Sequence, residues 1–260
     1  RGQSVFLGNQ VKNNEFNFAV FNMGSAPPFL QAARTLDALS LMPGYIQRQS
    51  DAHSAYTHAF LKGTETWVSL PPSRWPKSWQ GLPYQDPVCP LVLAFYRHPG
   101  SGTYWEKHCE EVLKQIGFEP VEGWRSTFWH PAKKAMMVVY VDDFQMSSPK
   151  EHSEGIWAAI MKKISMEKPK PPDRFLGCYA RAFKAPISEL LPILQNQPEP
   201  NPRAGDIAAP DIKNKKKIIN GRVYEMRKYL KQSVEKYCNL AGISTSSLPL
   251  AAAPFIDESK

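Results

Sequence analysis

Two adjacent aspartates, Asp142 and Asp143, are the residues whose type and spacing first suggest chemistry. They follow the apolar run of MMVVYVDDFQMSS (136–148), after which Phe144 and Met146 alternate with polar residues. An apolar run followed by alternation is typical of two strands joined by a tight turn, and it places both aspartates in that turn. Two like charges side by side repel each other, so the pair predicts a bound divalent cation.

A magnesium ion at this turn needs a further carboxylate, because Mg²⁺ prefers six oxygen ligands. Asp51, in QRQSDAHSAYTHAFLKG, is the best candidate, since it ends a short predicted strand and begins a helical segment. A side chain at such a junction can project toward a neighbouring hairpin. The structural alternative is that Asp142 and Asp143 only form a turn, which Asp favours through local hydrogen bonds.

The elements around these aspartates alternate between helices and hairpins. Apolar residues at helical spacing predict helices over about 30–41, 105–116 and 151–165, the second of which ends at a glycine. Strand-like segments at 126–130 and 135–140 are joined by a polar turn. Hairpins with helices between them indicate an α+β fold rather than a doubly wound parallel sheet.

Composition divides the chain into two units. The segment 192–210 has the composition of a linker, so we expect one α+β unit over 1–191. Beyond it, apolar residues at spacings of three and four over 219–237 predict a helix, and Gly242 is placed to cap that helix. Residues 211–260 are therefore predicted to form a small, basic helical unit.

The overall composition is that of a globular protein, with 42% hydrophobic and 22% charged residues. The longest apolar stretches are too short to span a bilayer, and the first residues form no secretory signal. These features favour an intracellular protein that is not secreted and has no membrane partner. Four cysteines without a Cys-x-x-Cys pair predict buried free thiols. The first residue is arginine, which suggests a chain cut from a longer polypeptide.

The net charge of +8 suits a polyanionic partner. The excess is uneven, because residues 181–260 hold 13 Lys and Arg against 8 Asp and Glu, an excess of 5. Nucleic acid is one partner that this charge would attract. The alternative is a surface whose charge only keeps the protein in solution.

The aspartate segments resemble the palm motifs of reverse transcriptases, which carry Asp-x-x-x-Ala-Tyr upstream of Tyr-Val-Asp-Asp. The sequence is most similar to the polymerases of copia-type long-terminal-repeat retrotransposons. The similar segments follow one another in the family's order: DAHSAYTHAFLKG (51–63), PVCPLVLAFY (87–96), 105–118, FLGC (175–178) and YEMRKYLKQSVEKYCNLAG (224–242). The resemblance therefore covers most of the chain.

This resemblance implies a right-hand polymerase fold, with partial fingers and a palm of antiparallel strands and packed helices over 1–191. A helical thumb-like module would follow the linker. The implied activity is that of an RNA-directed DNA polymerase, which transfers deoxynucleotides from their triphosphates to a DNA primer paired with an RNA template. Other parts of a retrotransposon polyprotein are then expected outside this chain. The resemblance also implies that the protein is located in cytoplasmic virus-like particles, in the nucleus or in both.

The resemblance also implies a role for each matched residue near the aspartates. Asp51, Asp142 and Asp143 would be the catalytic ligands of two Mg²⁺ ions, with Mn²⁺ as an alternative ion. Backbone amides of Ser54 and Ala55 would meet the triphosphate of the incoming nucleotide. The ring of Tyr56 would exclude ribonucleotides by a clash with the 2′-hydroxyl, and the residues expected under the primer end or supporting the palm are Tyr140, Val141, Phe175, Leu176 and Gly177.

A cluster of lysines in the second unit is expected to contact the nucleic-acid backbone. The members of this cluster are Lys213, Lys215, Lys216 and Lys217. A hybrid of RNA and DNA is A-like, so the protein would recognise its shape and phosphates rather than its sequence. The alternative is that an exposed lysine cluster beside a linker is simply solvated.

One loop departs from the family pattern. Arg97 stands where the family has Gly, and Gly100 stands where it has Gln. In the family this loop lies against the templating base pair and the incoming nucleotide. The change leaves a second interpretation, a decayed or repurposed polymerase fold that binds nucleic acid without catalysis. A third interpretation is an unrelated metal-dependent nuclease.

Overall fold

The computed structural model describes residues 7–13, 15, 17, 27–63, 65–175, 178–190 and 217–248. The chain divides into two compact units, 1–172 and 173–260. The boundary lies earlier than the one expected after residue 191, because the strand Cys178–Pro186 pairs with Ile218–Glu225, which lies beyond the expected linker. The linker segment 192–210 lies outside the described residues.

The first unit is built on a five-stranded antiparallel sheet with the order β1-β7-β6-β5-β4. Its strands are β1 (Tyr45–Asp51), β4 (Glu119–Pro120), β5 (Thr127–His130), β6 (Ala135–Tyr140) and β7 (Asp143–Pro149). A separate antiparallel hairpin is formed by β2 (Trp67–Ser69) and β3 (Val88–Pro90). The predicted α+β class is therefore confirmed, with antiparallel pairing throughout this sheet.

Three α-helices pack on the sheet of the first unit: α1 (Leu30–Ser40), α2 (Ser101–Ile116) and α3 (Lys150–Met161). Met137 and Phe144 share one core with apolar residues of α2 and α3. The side chains of β7 that project to the other face of the sheet are polar. One of them, Ser147, donates a hydrogen bond from Oγ to the carbonyl oxygen of Leu36 in α1 (2.7 Å). Because both faces are covered, β6 is buried along almost its whole length, which explains its continuous apolar run.

One of the predicted helix ends agrees with the structure, and another differs from it. Helix α2 ends as expected at Gly117, whose φ of 102° is a left-handed conformation that glycine adopts freely. Its backbone N–H donates to the carbonyl oxygen of Lys114 (3.0 Å). Helix α3 ends at Met161, a few residues before the predicted end.

The second unit contains a three-stranded antiparallel sheet of β8 (Arg174–Phe175), β9 (Cys178–Pro186) and β10 (Ile218–Glu225). Helix α4 (Arg227–Ala241) follows and ends at Gly242 as predicted. The prediction of one helix from residue 219 is wrong for its first part, since 218–225 form β10. Ile219 and Val223 are four residues apart, which places them on one face of a strand as well as of a helix.

The four cysteines are free thiols. Cys109 and Cys238 are buried as predicted, whereas Cys89 and Cys178 are only half-buried. None of the helices in the described part of the chain combines the length and the apolar composition needed to cross a bilayer.

Candidate carboxylate site

The end of β1 and the start of β7 bring two predicted site residues together. Asp51 and Asp143 are direct partners in the antiparallel ladder. Directly opposite residues project to the same face of a sheet. Their carboxyl groups accordingly share a side-chain hydrogen bond.

Asp142 lies in the turn between β6 and β7. Tyr140 pairs with Asp143, so the turn contains Val141 and Asp142 rather than the two aspartates that were predicted for it. The Ala52 backbone N–H donates to the carbonyl oxygen of Asp142 (2.7 Å), which places Asp142 beside the residue that follows Asp51. The three predicted aspartates are therefore brought together by two segments of backbone, the end of β1 and the β6–β7 turn with the start of β7.

The proximity of the carboxylates changes their acidity. Burial, the hydrogen bond to Asp51 and the negative charges of Asp142 and Asp51 raise the pKa of Asp143 to about 7. Burial also acts to raise the pKa of Asp51, but hydrogen bonds from Asp143 and Lys170 outweigh it and hold this pKa below its ordinary value. Of the two carboxyl groups, Asp143 therefore binds the shared proton more tightly.

A lysine that was not predicted completes the surroundings of Asp51. Lys170 Nζ lies 3.1 Å from Asp51 Oδ2 and 2.8 Å from Glu167 Oε2. Backbone hydrogen bonds from Glu167 N–H to Asp51 O (2.9 Å) and between Lys170 and Gln49 hold this segment against the free edge of β1. No pattern in the sequence predicts this contact, because 119 residues separate Lys170 from Asp51.

The donor set suits a hard divalent cation, since three carboxylates supply only oxygen. The raised pKa of Asp143 agrees with this, because burial is its largest cause, the neighbouring carboxylates add to it, and a cation would offset both effects. Within the described residues, however, no group of three or more His, Cys, Asp or Glu side chains is arranged to hold a metal ion. The Asp51 carboxylate itself contacts Lys170 and Asp143.

The expected nucleotide contacts lie directly after β1. Ser54 has a left-handed φ of 49° and precedes a 3-10 helix, Ala55–His58, in which Ala55 is completely buried. The half-buried ring of Tyr56 packs edge-on against Tyr96, with 4.9 Å between ring centroids. Burial raises the pKa of Tyr56, and the negative charge of Asp142 adds to this effect.

The two residues expected under a primer end flank the turn itself. Tyr140 and Val141 are half-buried, and Val141 has a φ of 54°. Trp105 Nε1 donates a hydrogen bond of 2.6 Å to the carbonyl oxygen of Val141. Trp105 was predicted only as part of the apolar face of α2, and nothing in its spacing distinguishes a donor to the turn from any other core residue.

The remaining predicted site residues belong to the second unit. Phe175 is buried in β8, whereas Leu176 and Gly177 lie outside the described residues. Of the lysine cluster, Lys217 is described: its side chain is exposed and its carbonyl oxygen accepts from Ile187 N–H (3.0 Å). The other members of the cluster, Lys213, Lys215 and Lys216, lie outside the described residues.

Comparisons with known proteins do not assign the chain to a family. No protein-family model matches the sequence, and a search of curated proteins finds no match. The functional inference therefore rests on the geometry at the three aspartates and on the residues around them.

Proposed function

We propose that this chain carries an RNA-directed DNA polymerase site of the kind found in copia-type retrotransposons. The observation that supports the proposal is the pairing of Asp51 with Asp143 beside the Asp142 turn. The carboxylates come from two segments far apart in sequence. Asp51 and Asp143 are strand partners, and a backbone hydrogen bond from Ala52 holds the turn that contains Asp142. A polymerase site requires this arrangement because its chemistry depends on positioned charge.

In this proposal Asp51, Asp142 and Asp143 hold two Mg²⁺ ions, for which Mn²⁺ can substitute. The ions would activate the primer 3′-hydroxyl and stabilise the leaving pyrophosphate during in-line displacement. The protein itself orients the reactants. For a metal ion to bind there, Asp143 would have to lose the shared proton to solvent, and Lys170 would have to release Asp51 while it keeps its contact with Glu167.

Tyr56 selects the sugar of the incoming nucleotide in this proposal. Its ring is held against Tyr96 and the core, so it presents a fixed surface rather than a mobile side chain. A fixed ring next to the turn rejects a 2′-hydroxyl by steric clash. The nearby backbone of Ser54 and Ala55 provides the amides for the triphosphate.

The proposed partners are deoxynucleoside triphosphates and an RNA template paired with a DNA primer. Binding to the hybrid is expected to fall steeply with salt, because lysines such as Lys217 would replace counterions on phosphates. The net charge of +8 supports such a partner.

Primer extension tests this function directly. A DNA primer annealed to an RNA template is incubated with Mg²⁺ and deoxynucleotides, and the wild type is compared with Asp142→Asn. The matched control is Asp86→Asn, which makes the same change at an aspartate whose Oδ1 accepts from Ser69 Oγ (2.6 Å) outside the site. We expect product from the wild type and the control and at least a hundredfold less from Asp142→Asn.

One observation favours a second candidate, a polymerase-like fold that binds nucleic acid without catalysis. The ammonium group of Lys170 already neutralises Asp51, as a metal ion would in an active site. In that case the wild type binds the hybrid in a salt-sensitive manner but makes no product. Degradation of the template under the same conditions would instead indicate a metal-dependent nuclease.

A further inference from the structure

The aspartate turn is held from two sides by hydrogen bonds to consecutive carbonyl oxygens. Trp105 Nε1 donates to Val141 O (2.6 Å), and the Ala52 N–H donates to Asp142 O (2.7 Å). The first of these bonds fixes the peptide group that joins Val141 to Asp142. Because a peptide group is planar, its orientation sets the direction in which the Asp142 side chain leaves the backbone.

The turn has a conformation that its own sequence disfavours. Val141 has a φ of 54°, whereas Asp142 is not among the residues with positive φ. Positive φ at the first central residue of a two-residue hairpin turn is the type II′ pattern, which normally has glycine there. A β-branched residue at positive φ is a rare outlier, so an outside contact must hold Val141 in place.

Trp105 is suited to be that contact because it is immobilised. Its side chain is only 1% exposed, and its ring packs edge-on against Phe144 of β7, with 6.3 Å between centroids. On its other side it stacks on His108 at 5.9 Å. The indole N–H is therefore a donor with a fixed direction, supplied by a helix that is otherwise part of the core.

We propose that Trp105 is a positioning residue that holds Val141 in the left-handed conformation and thereby aims Asp142 at the site. This inference rests on the proposed function for its catalytic consequence. The geometric part, that the indole N–H sets the conformation of the turn, is independent of any activity.

A double-substitution cycle tests the proposal. Trp105→Phe removes the donor, and Val141→Asn supplies a residue that adopts positive φ far more readily than valine. We expect Trp105→Phe alone to lower the maximal rate of primer extension about tenfold, with a much smaller change in the KM for deoxynucleotides. In the Val141→Asn background the same substitution is expected to lower the rate only about twofold, because the turn no longer needs the donor.

Nuclear magnetic resonance gives a readout that does not need activity. The amide cross-peak of Asp142 is expected to shift and broaden in Trp105→Phe, as the turn samples other conformations, and to return to one sharp peak in the double variant. Leu113→Ala is the matched control: it truncates a fully buried residue of the same helix and should leave this cross-peak sharp. Should Trp105→Phe not fold, replacement of Trp105 by 3-benzothienylalanine removes the N–H and keeps the shape of the ring.

The outcomes separate the two proposals. Equal rate losses in the Val141 and Val141→Asn backgrounds, or an unchanged Asp142 cross-peak, would overturn the role of Trp105 and leave the polymerase proposal standing. A wild type that makes no product refutes the proposed function, and the cross-peaks then decide alone whether Trp105 holds the turn.

Discussion

The ammonium group of Lys170 lies 3.1 Å from Asp51 Oδ2 and bridges this carboxylate to Glu167. The contacts with Glu167 and Asp51 raise the pKa of Lys170, so the lysine is charged at every physiological pH. It acts as an internal cation at the place where the proposed function requires a metal ion. A metal ion bound there would therefore compete with Lys170 for the Asp51 carboxylate.

Removal of this lysine is expected to strengthen metal binding. Lys170→Met should tighten Mn²⁺ binding about two- to fivefold, which corresponds to the loss of one partly exposed ion pair. The measurement is calorimetric or paramagnetic titration with Mn²⁺ alone. Lys168→Met is the matched control, since it removes an exposed charge from the same segment. Identical affinities for all three proteins would show that Lys170 does not compete.

The shared proton predicts how stability depends on pH. The folded protein raises the pKa of Asp143 from 3.8 to about 7, so the folded state binds the proton more tightly than the unfolded state. The contribution of Asp143 to stability is complete below about pH 4 and is lost as the pH rises through about 7. The contribution of Asp51 to stability depends on pH in the opposite direction, because its pKa is lowered in the folded state and the contribution is lost as the pH falls.

Asp143→Asn keeps a neutral donor at this position at every pH. Urea midpoints are measured at pH 4, 6 and 8. The midpoint of the variant, relative to that of the wild type, should increase as the pH rises. The same series for Asp86→Asn serves as the control and should run parallel to the wild type. A constant difference between Asp143→Asn and the wild type would mean that Asp143 is ionised throughout.

Tyr56→Ala is expected to relax the choice of sugar. Loss of the ring should raise ribonucleotide incorporation, relative to deoxynucleotides, by at least about tenfold, since a clash is removed without loss of a catalytic group. Tyr56→Phe keeps the ring and should discriminate as the wild type does. The assay is primer extension with each nucleotide alone, and unchanged discrimination in the alanine variant would exclude Tyr56 as the gate.

Gly155 allows a test of the fold that does not touch the site. It lies in α3, is exposed, and a methyl group added there meets no atom within 4 Å. Gly155→Ala should therefore stabilise the protein by about 0.5–1 kcal/mol through helix propensity. Gly221→Ala provides the contrast, because its Cβ would lie 2.3 Å from the Phe183 ring and should destabilise the second unit. Urea unfolding measures both, and a destabilised Gly155→Ala would contradict the placement of α3.

The parts of the fold that sequence could predict are local. The β6–β7 hairpin and helix α2 each follow from periodicity within one segment and from a glycine or turn at its end. The β10 strand was missed because a four-residue spacing does not distinguish a strand from a helix. The turn lies one residue earlier than predicted, since Val141 adopts a positive φ, a conformation that valine disfavours.

The candidate site was predictable only in part. Asp51, Asp142 and Asp143 were identified from charge and context before their neighbours were known. Lys170 and the donor role of Trp105 were not, because both depend on contacts between distant segments. Such contacts are set by strand register, which no single segment of sequence encodes.

Strand β1 has neighbours on both sides, and both come much later in the chain. One neighbour is β7, and the other is the segment around Lys170. During synthesis on the ribosome, β1 therefore emerges long before either partner and presents two unpaired edges. Pairing over such separations is slow, and exposed edges favour aggregation. We expect nascent chains that end before residue 170 to require chaperones, and proteins truncated there to be recovered as inclusion bodies.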